Sequence, residues 1–140
     1  MTPQETVERA LAAAKSDDCV VIAEETSAAN LRWAGNTLTT NGVSQSRQLT
    51  VIAVDRRGDS AAAGVVSRAG VRPDQIEDVV REAEHEAAEG APAEDAGELI
   101  GAGQPGPFGI MNREPAWDSA PGRTDIGVLR DFAVDRKSVV

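Results

Sequence analysis

Apolar positions in this chain repeat with two different periods, and the change of period marks the elements. Val7, Ala10, Leu11 and Ala14 recur at helical spacing, which lays one apolar stripe along a helix. Thr2-Pro3-Gln4-Glu5 precedes that stripe. It has the form of a capping box, in which threonine accepts from a free backbone N–H, glutamate returns the bond, and proline sits where no donor is needed. The pattern predicts a helix over about residues 3–15, closed by the polar Ser16-Asp17-Asp18. A second helical stripe is Ile76, Val79, Val80, Ala83 and Ala87. Pro73 opens it, Asp74 and Glu77 suit the positive end of its dipole, and Gly90 stops it after Glu89.

Between the two helices the period shortens. Cys19–Glu25 (CVVIAEE) is a continuous apolar run rich in β-branched residues and reads as a well-buried strand. Arg47–Asp55 (RQLTVIAVD) alternates, with Leu49, Val51 and Ala53 on one face and Thr50, Ile52 and Val54 on the other. Arg56-Arg57-Gly58-Asp59 reads as a tight turn, and Ser60–Ser67 (SAAAGVVS) as a returning strand. The small residues of that strand predict close approach by a helix or another backbone.

The stretch Asn30–Gly42 (NLRWAGNTLTTNG) carries a further hairpin. Leu31 and Trp33 alternate with Arg32 and Ala34, and Gly35-Asn36 reads as a turn or bulge. After the β-formers Thr37–Thr40, Asn41-Gly42 is the strongest two-residue hairpin signal, because both residues tolerate positive φ. Val43–Ser46 is then expected to pair back. Helix, consecutive strands and helix together predict an α+β fold. Its expected form is an antiparallel β-meander of about four to five strands, with two helices packed on one face. From Ala91 the periodicity dissolves into Pro92, Pro105, Pro107, Pro115 and Pro121 among frequent glycines, an irregular Pro/Gly-rich arm. The expected division is a domain over 1–90 and an extended arm over 91–140, leading towards a C-terminal domain outside this sequence. Ile126–Val134 (IGVLRDFAV) reads as the start of a helix or strand that stops short.

Composition narrows the function classes. The chain has 140 residues, one domain's worth, and its apolar content of 41% includes only 3% aromatics, so the core must be built from small aliphatic side chains. A net charge of −9 repels a phosphate backbone, which argues against nucleic-acid binding. The single cysteine, Cys19, excludes an intramolecular disulfide and fits a reducing compartment. The N-terminus lacks the order of a signal peptide, and no apolar run approaches the ~18–20 residues of a membrane span. The expected localisation is cytoplasmic, with no membrane partner.

Candidate chemistry is sparse. Gly101–Gly106 (GAGQPG) matches the letters of a dinucleotide-binding GxGxxG, but Pro105-Gly106-Pro107 cannot begin the helix that would hold a pyrophosphate. His85 is the only histidine, and Glu89 stands where a zinc-protease helix needs its second one. Cys19 lies beside Asp17 and Asp18, which oppose thiolate formation. The acidic groups Glu24-Glu25, Asp55/Asp59 and Glu94-Asp95 lack the alternating ligands of a calcium loop. No catalytic and no metal residue is therefore assigned.

The ordered segments ANLRWAGNTLTTNG, RQLTVIAV, AAAGVVSRAGV, DQIEDVVREAE and APAEDA resemble the N-terminal domain of the TldD/PmbA metallopeptidases. The PmbA (TldE) branch is the nearer. The resemblance spans about residues 1–130, and the tail from about Asp135 departs from it. It implies the N-terminal portion of a subunit of an intracellular TldD/TldE-type metalloprotease acting on unfolded or short peptides. Zinc belongs to the TldD-like partner, so no cofactor is expected in this chain and no activity is expected from it alone. The family's older label, modulator of DNA gyrase, carries no implication of DNA binding. Arg32, Asn36, Thr39 and Asn41 are the polar groups placed to contact a peptide or partner along a strand edge, although hairpin structure alone also accounts for them. The alternative is a stand-alone, non-catalytic peptide- or protein-binding module, or a truncated product without independent activity.

Overall fold

A computed structural model describes residues 1–34, 37–93, 97, 99–101, 117 and 119–131. Helix α1 spans Pro3–Ala13, and its capping box forms as the sequence predicts. The Thr2 hydroxyl accepts from the Glu5 N–H at 3.1 Å, and Glu5 accepts from the Thr2 N–H at 2.7 Å. Three antiparallel strands follow: β1 over Asp18–Ala34, β2 over Thr37–Arg57 and β3 over Ser60–Ala69. A single 3₁₀ turn, Pro73–Gln75, leads into α2 over Ile76–Glu89. The fold is α+β, with the sheet in the order β1-β2-β3.

The helices cover one face of the sheet, and the alternation along β2 selects that face. Leu49, Val51 and Ala53 are 2% exposed or less and meet Val66 of β3, Ala10 of α1, and Ile76, Val79, Val80, Ala83 and Ala87 of α2. The largest fully buried side chains are Ile76, Val51, Val66 and Val80, so this core depends on close approach of backbones more than on bulky anchors. Gly64 is the clearest case. A Cβ there would lie 2.1 Å from the Ala83 carbonyl oxygen and 2.4 Å from the Ala87 nitrogen. The small residues of β3 thus seat α2 directly on the strand.

Arg57, at the end of β2, closes the other end of that helix. Its guanidinium donates to the carbonyls of Ala87 (2.9 Å), Ala88 (2.5 Å) and Gly90 (3.0 Å). The last turn of α2 has no basic residue of its own, and Arg57 supplies the cation that its exposed carbonyls favour. Between β2 and β3 the chain turns at Gly58-Asp59, with Gly58 at φ 64°, a backbone region that favours glycine.

Two expectations about the strands are corrected. Asn41-Gly42 is not a turn: Asn41 pairs with Leu31 and Gly42 with Asn30, inside a continuous ladder that reaches Ala34↔Thr37. Gly35-Asn36, expected as a turn or bulge, lies outside the described residues; segments read as separate strands merge, and the described residues hold three strands, not four to five. The physical reason is register. Residues 43–46 continue the same pairing against Ala29–Thr26, and long-range ladder bonds override a local turn preference. The second correction concerns Cys19–Glu25. It belongs to an edge strand, not a well-buried one, and Ile22 is 46% exposed. A continuous apolar run predicts burial on both faces, whereas the helices cover only one.

Beyond α2, described parts of the arm rest on the chain's own body. The Ala93 N–H donates to the Ala61 carbonyl at 2.7 Å, and the Thr124 N–H donates to Ser27 Oγ at 3.1 Å. A 3₁₀ turn over Ile126–Leu129 is capped by Asp125, a helical start within the stretch Ile126–Val134, of which residues 132–134 lie outside the described residues. Among the described residues no helix is long and apolar enough to cross a membrane.

Candidate functional site

Both outer strands of the sheet, β1 and β3, have a side turned away from β2, and the hydrogen-bond parity of β2 identifies the groups on that side of β1. The Gly70 N–H donates to the Arg47 carbonyl at 2.9 Å, so odd-numbered residues of β2 bond towards β3 and even-numbered ones towards β1. The Arg56 N–H agrees: it points to the β1 side, where it donates to Asp17 Oδ2 at 2.7 Å. The β1 partners of the even residues are Val20, Ile22 and Glu24. Val21, Ala23 and Glu25, between them, therefore present their backbone N–H and C=O groups at the free edge of the sheet.

A groove of about 640 Å³ runs along that edge. One wall is α1, through Pro3 and Val7, and the other is the arm, through Trp117, Ala120 and Pro121. The Trp117 Nε1–H donates to Glu8 Oε1 at 3.2 Å and joins the two walls. Hydrogen bonds from Gln4 and Trp117 hold the Glu8 carboxyl below its ordinary range, so it is anionic at neutral pH. Glu25 is already matched: its side chain is 4% exposed and accepts from Arg47 Nε at 3.0 Å. A smaller cleft of about 140 Å³ lies beside it, between the start of α1 and Val71.

The four polar residues of the hairpin do not form one cluster. Thr39 Oγ1 donates to the Arg32 carbonyl at 3.1 Å, where the ladder shifts register between Arg32 and Trp33. Arg32 pairs with Thr40, whereas Asn41 pairs with Leu31 and so lies on the opposite face of the ladder. Asn36 lies outside the described residues. Arg32, Thr39 and Asn41 are exposed.

The other candidates are placed as follows. His85 is exposed on α2, 3.4 Å from Glu89 one turn on. Burial pushes the Cys19 thiol up, and the charge of Glu84 adds to the shift, the opposite of what a nucleophilic thiol needs. Asp55 pairs with Arg57 at 3.0 Å. Of the GxGxxG letters only Gly101 is described, and Glu94-Asp95 lies outside the described residues. Among the described residues no group of three or more His, Cys, Asp and Glu could hold a metal ion.

The groove along Val21–Glu25 was not legible in the sequence. Its signal is the unpaired edge of a strand, and edge or centre is settled by strand order, which a hydrophobic pattern does not encode. No protein family, no curated protein and no solved structure matches the chain.

Proposed function

We propose that this chain is the N-terminal portion of a TldE/PmbA-like subunit of a TldD/TldE-type metalloprotease acting on unfolded or short peptides. In this reading residues 1–90 are a docking domain, 91–140 are the arm towards the rest of the subunit, and zinc resides in the TldD-like partner. Support comes from the resemblance of the ordered segments quoted above. The observation that carries a binding role is the outer side of β1, whose Val21, Ala23 and Glu25 backbone groups face a groove and, among the described residues, no other strand. The test is co-purification with a TldD-like subunit, followed by a zinc-dependent peptide-cleavage assay with and without this chain. Retention of the chain and cleavage only in the mixture are expected. Failure to associate sinks the subunit reading, and cleavage by this chain alone overturns the assignment of the chemistry to the partner.

A second reading, a stand-alone peptide- or protein-binding module, has its own support. Described parts of the arm are tied to the chain's own elements through Ala93–Ala61, Trp117–Glu8 and Thr124–Ser27. A compact monomer whose arm stays protected from proteolysis without any partner favours this reading over the first.

A further inference from the structure

We infer that the groove beside β1 binds an extended peptide as a fourth strand, with apolar side chains at every second position and basic ones between them. The inference rests on the reading that this chain handles peptides, and it supplies the site and the sequence class. Backbone groups come first. The N–H and C=O of Val21, Ala23 and Glu25 point outward by the parity of the ladder, and among the described residues none of them is hydrogen-bonded across that edge. A row of five residues, Val21–Glu25, offers roughly 17 Å of strand at ~3.4 Å per residue, enough for four or five residues of an added strand.

The side chains then separate the two faces of the incoming strand. On the helix side the groove is walled by Val7, Val21, Ala120 and Pro121 together with Glu25, whose carboxylate is already held by Arg47, so apolar side chains fit there and a further charged one finds no free partner. On the open side stands Glu24, exposed and without an ion-pair partner among the described residues. Glu8, held anionic, sits at the lip beside Trp117. Of the basic residues near this edge, Arg47 is occupied by Glu25, and Arg123 stands at the end of the groove, next to Gly122. In a chain of net charge −9, such an edge repels acidic peptides and attracts basic ones.

The test uses the full chain carrying Trp33→Phe, which leaves Trp117 as the only tryptophan. The probe is an N-acetylated, C-amidated heptapeptide of alternating valine and lysine. Titration is expected to shift Trp117 emission saturably, and replacing the lysines with glutamate is expected to weaken binding about tenfold or more. N-methylation of the peptide at the nitrogens that would face β1 removes the strand bonds without touching the protein, and should weaken binding similarly. Ala23→Pro removes one outward donor while sparing the β2 ladder, and should do the same with an unchanged melting temperature. Equal binding of the acidic peptide, full binding of the N-methylated one, or no emission change up to millimolar peptide each overturns the inference. A concentration-dependent dimer that Ala23→Pro dissolves would instead assign the edge to a second copy of the chain. Failure here leaves retention by a TldD-like subunit unaffected, because that is measured without peptide.

Discussion

Replacing Gly64 with alanine puts a methyl group where α2 already lies against β3. The added Cβ would sit 2.1 Å from the Ala83 carbonyl oxygen, 2.4 Å from the Ala87 nitrogen and 2.8 Å from Glu86 Cβ. Two of these neighbours are helix backbone, so no side-chain rotation relieves the clash. The helix must withdraw until the shortest contact reaches about 3.0 Å, a movement of about 0.9 Å. A gap of that size forfeits roughly a quarter to a half of the dispersion attraction between facing atoms. It opens along the contact in which Ile76, Val80, Ala83 and Ala87 meet Val51 and Val66. Overpacking by itself costs about 1–3 kcal/mol. With the loosened contact added, Gly64→Ala should destabilise the chain by about 3 kcal/mol, a large share of the ~5–15 kcal/mol of a typical domain. In urea, with a slope of roughly 1.5 kcal/mol/M, the midpoint should fall by about 2 M. Gly42→Ala is the control: nothing lies within 4 Å of its Cβ position, and its stability should stay within ~0.5 kcal/mol of the parent. If Gly64→Ala also unfolds within ~0.5 kcal/mol of the parent at an unchanged slope, the packing argument for β3 and α2 is wrong.

Three further outcomes follow from named contacts. Arg57→Ala leaves the carbonyls of Ala87, Ala88 and Gly90 without their donor and should cost about 1–2 kcal/mol, with lysine recovering part of it; equal stability of all three forms in urea melts would refute the capping role. Burial opposes ionisation of Glu84, but hydrogen bonds from the Lys15 N–H, Arg81 and the Ser16 N–H outweigh it and lower the folded pKa below the ordinary 4.5. That contribution is present above about pH 4.5 and lost as pH falls through the folded pKa, so thermal melts between pH 7 and 3 should show a drop that Glu84→Gln flattens. Cys19, its pKa raised by burial and then by Glu84, should react with a disulfide reagent at pH 8 at least about tenfold more slowly than free cysteine; reaction at the free rate would place the thiol in a different environment.

The elements whose information is local were readable from the chain. Thr2-Pro3-Gln4-Glu5 specifies its own capping box, and the stripe from Ile76 to Ala87 is the buried face of α2, residue for residue. Leu49, Val51 and Ala53 alternate because β2 has one covered face, and the small residues around Gly64 anticipate the helix seated on them. In each case the signal and the structure share a period of a few residues.

What the tertiary structure decided was every property that depends on partners distant in sequence. Asn41-Gly42 is a strong turn signal that became mid-strand, because pairing with Leu31 and Asn30 extends a ladder already fixed by Val20↔Ile52 and its neighbours. Cys19–Glu25 has the composition of a central strand but lies at the edge, because strand order is a property of the whole sheet. The candidate site follows from that order. Val21, Ala23 and Glu25 form the proposed site only because, among the described residues, no strand pairs with that side of β1, and because α1 and Trp117 wall the space that remains. Backbone groups carry no residue-type signature, so a groove built from them is visible only once the chain is folded.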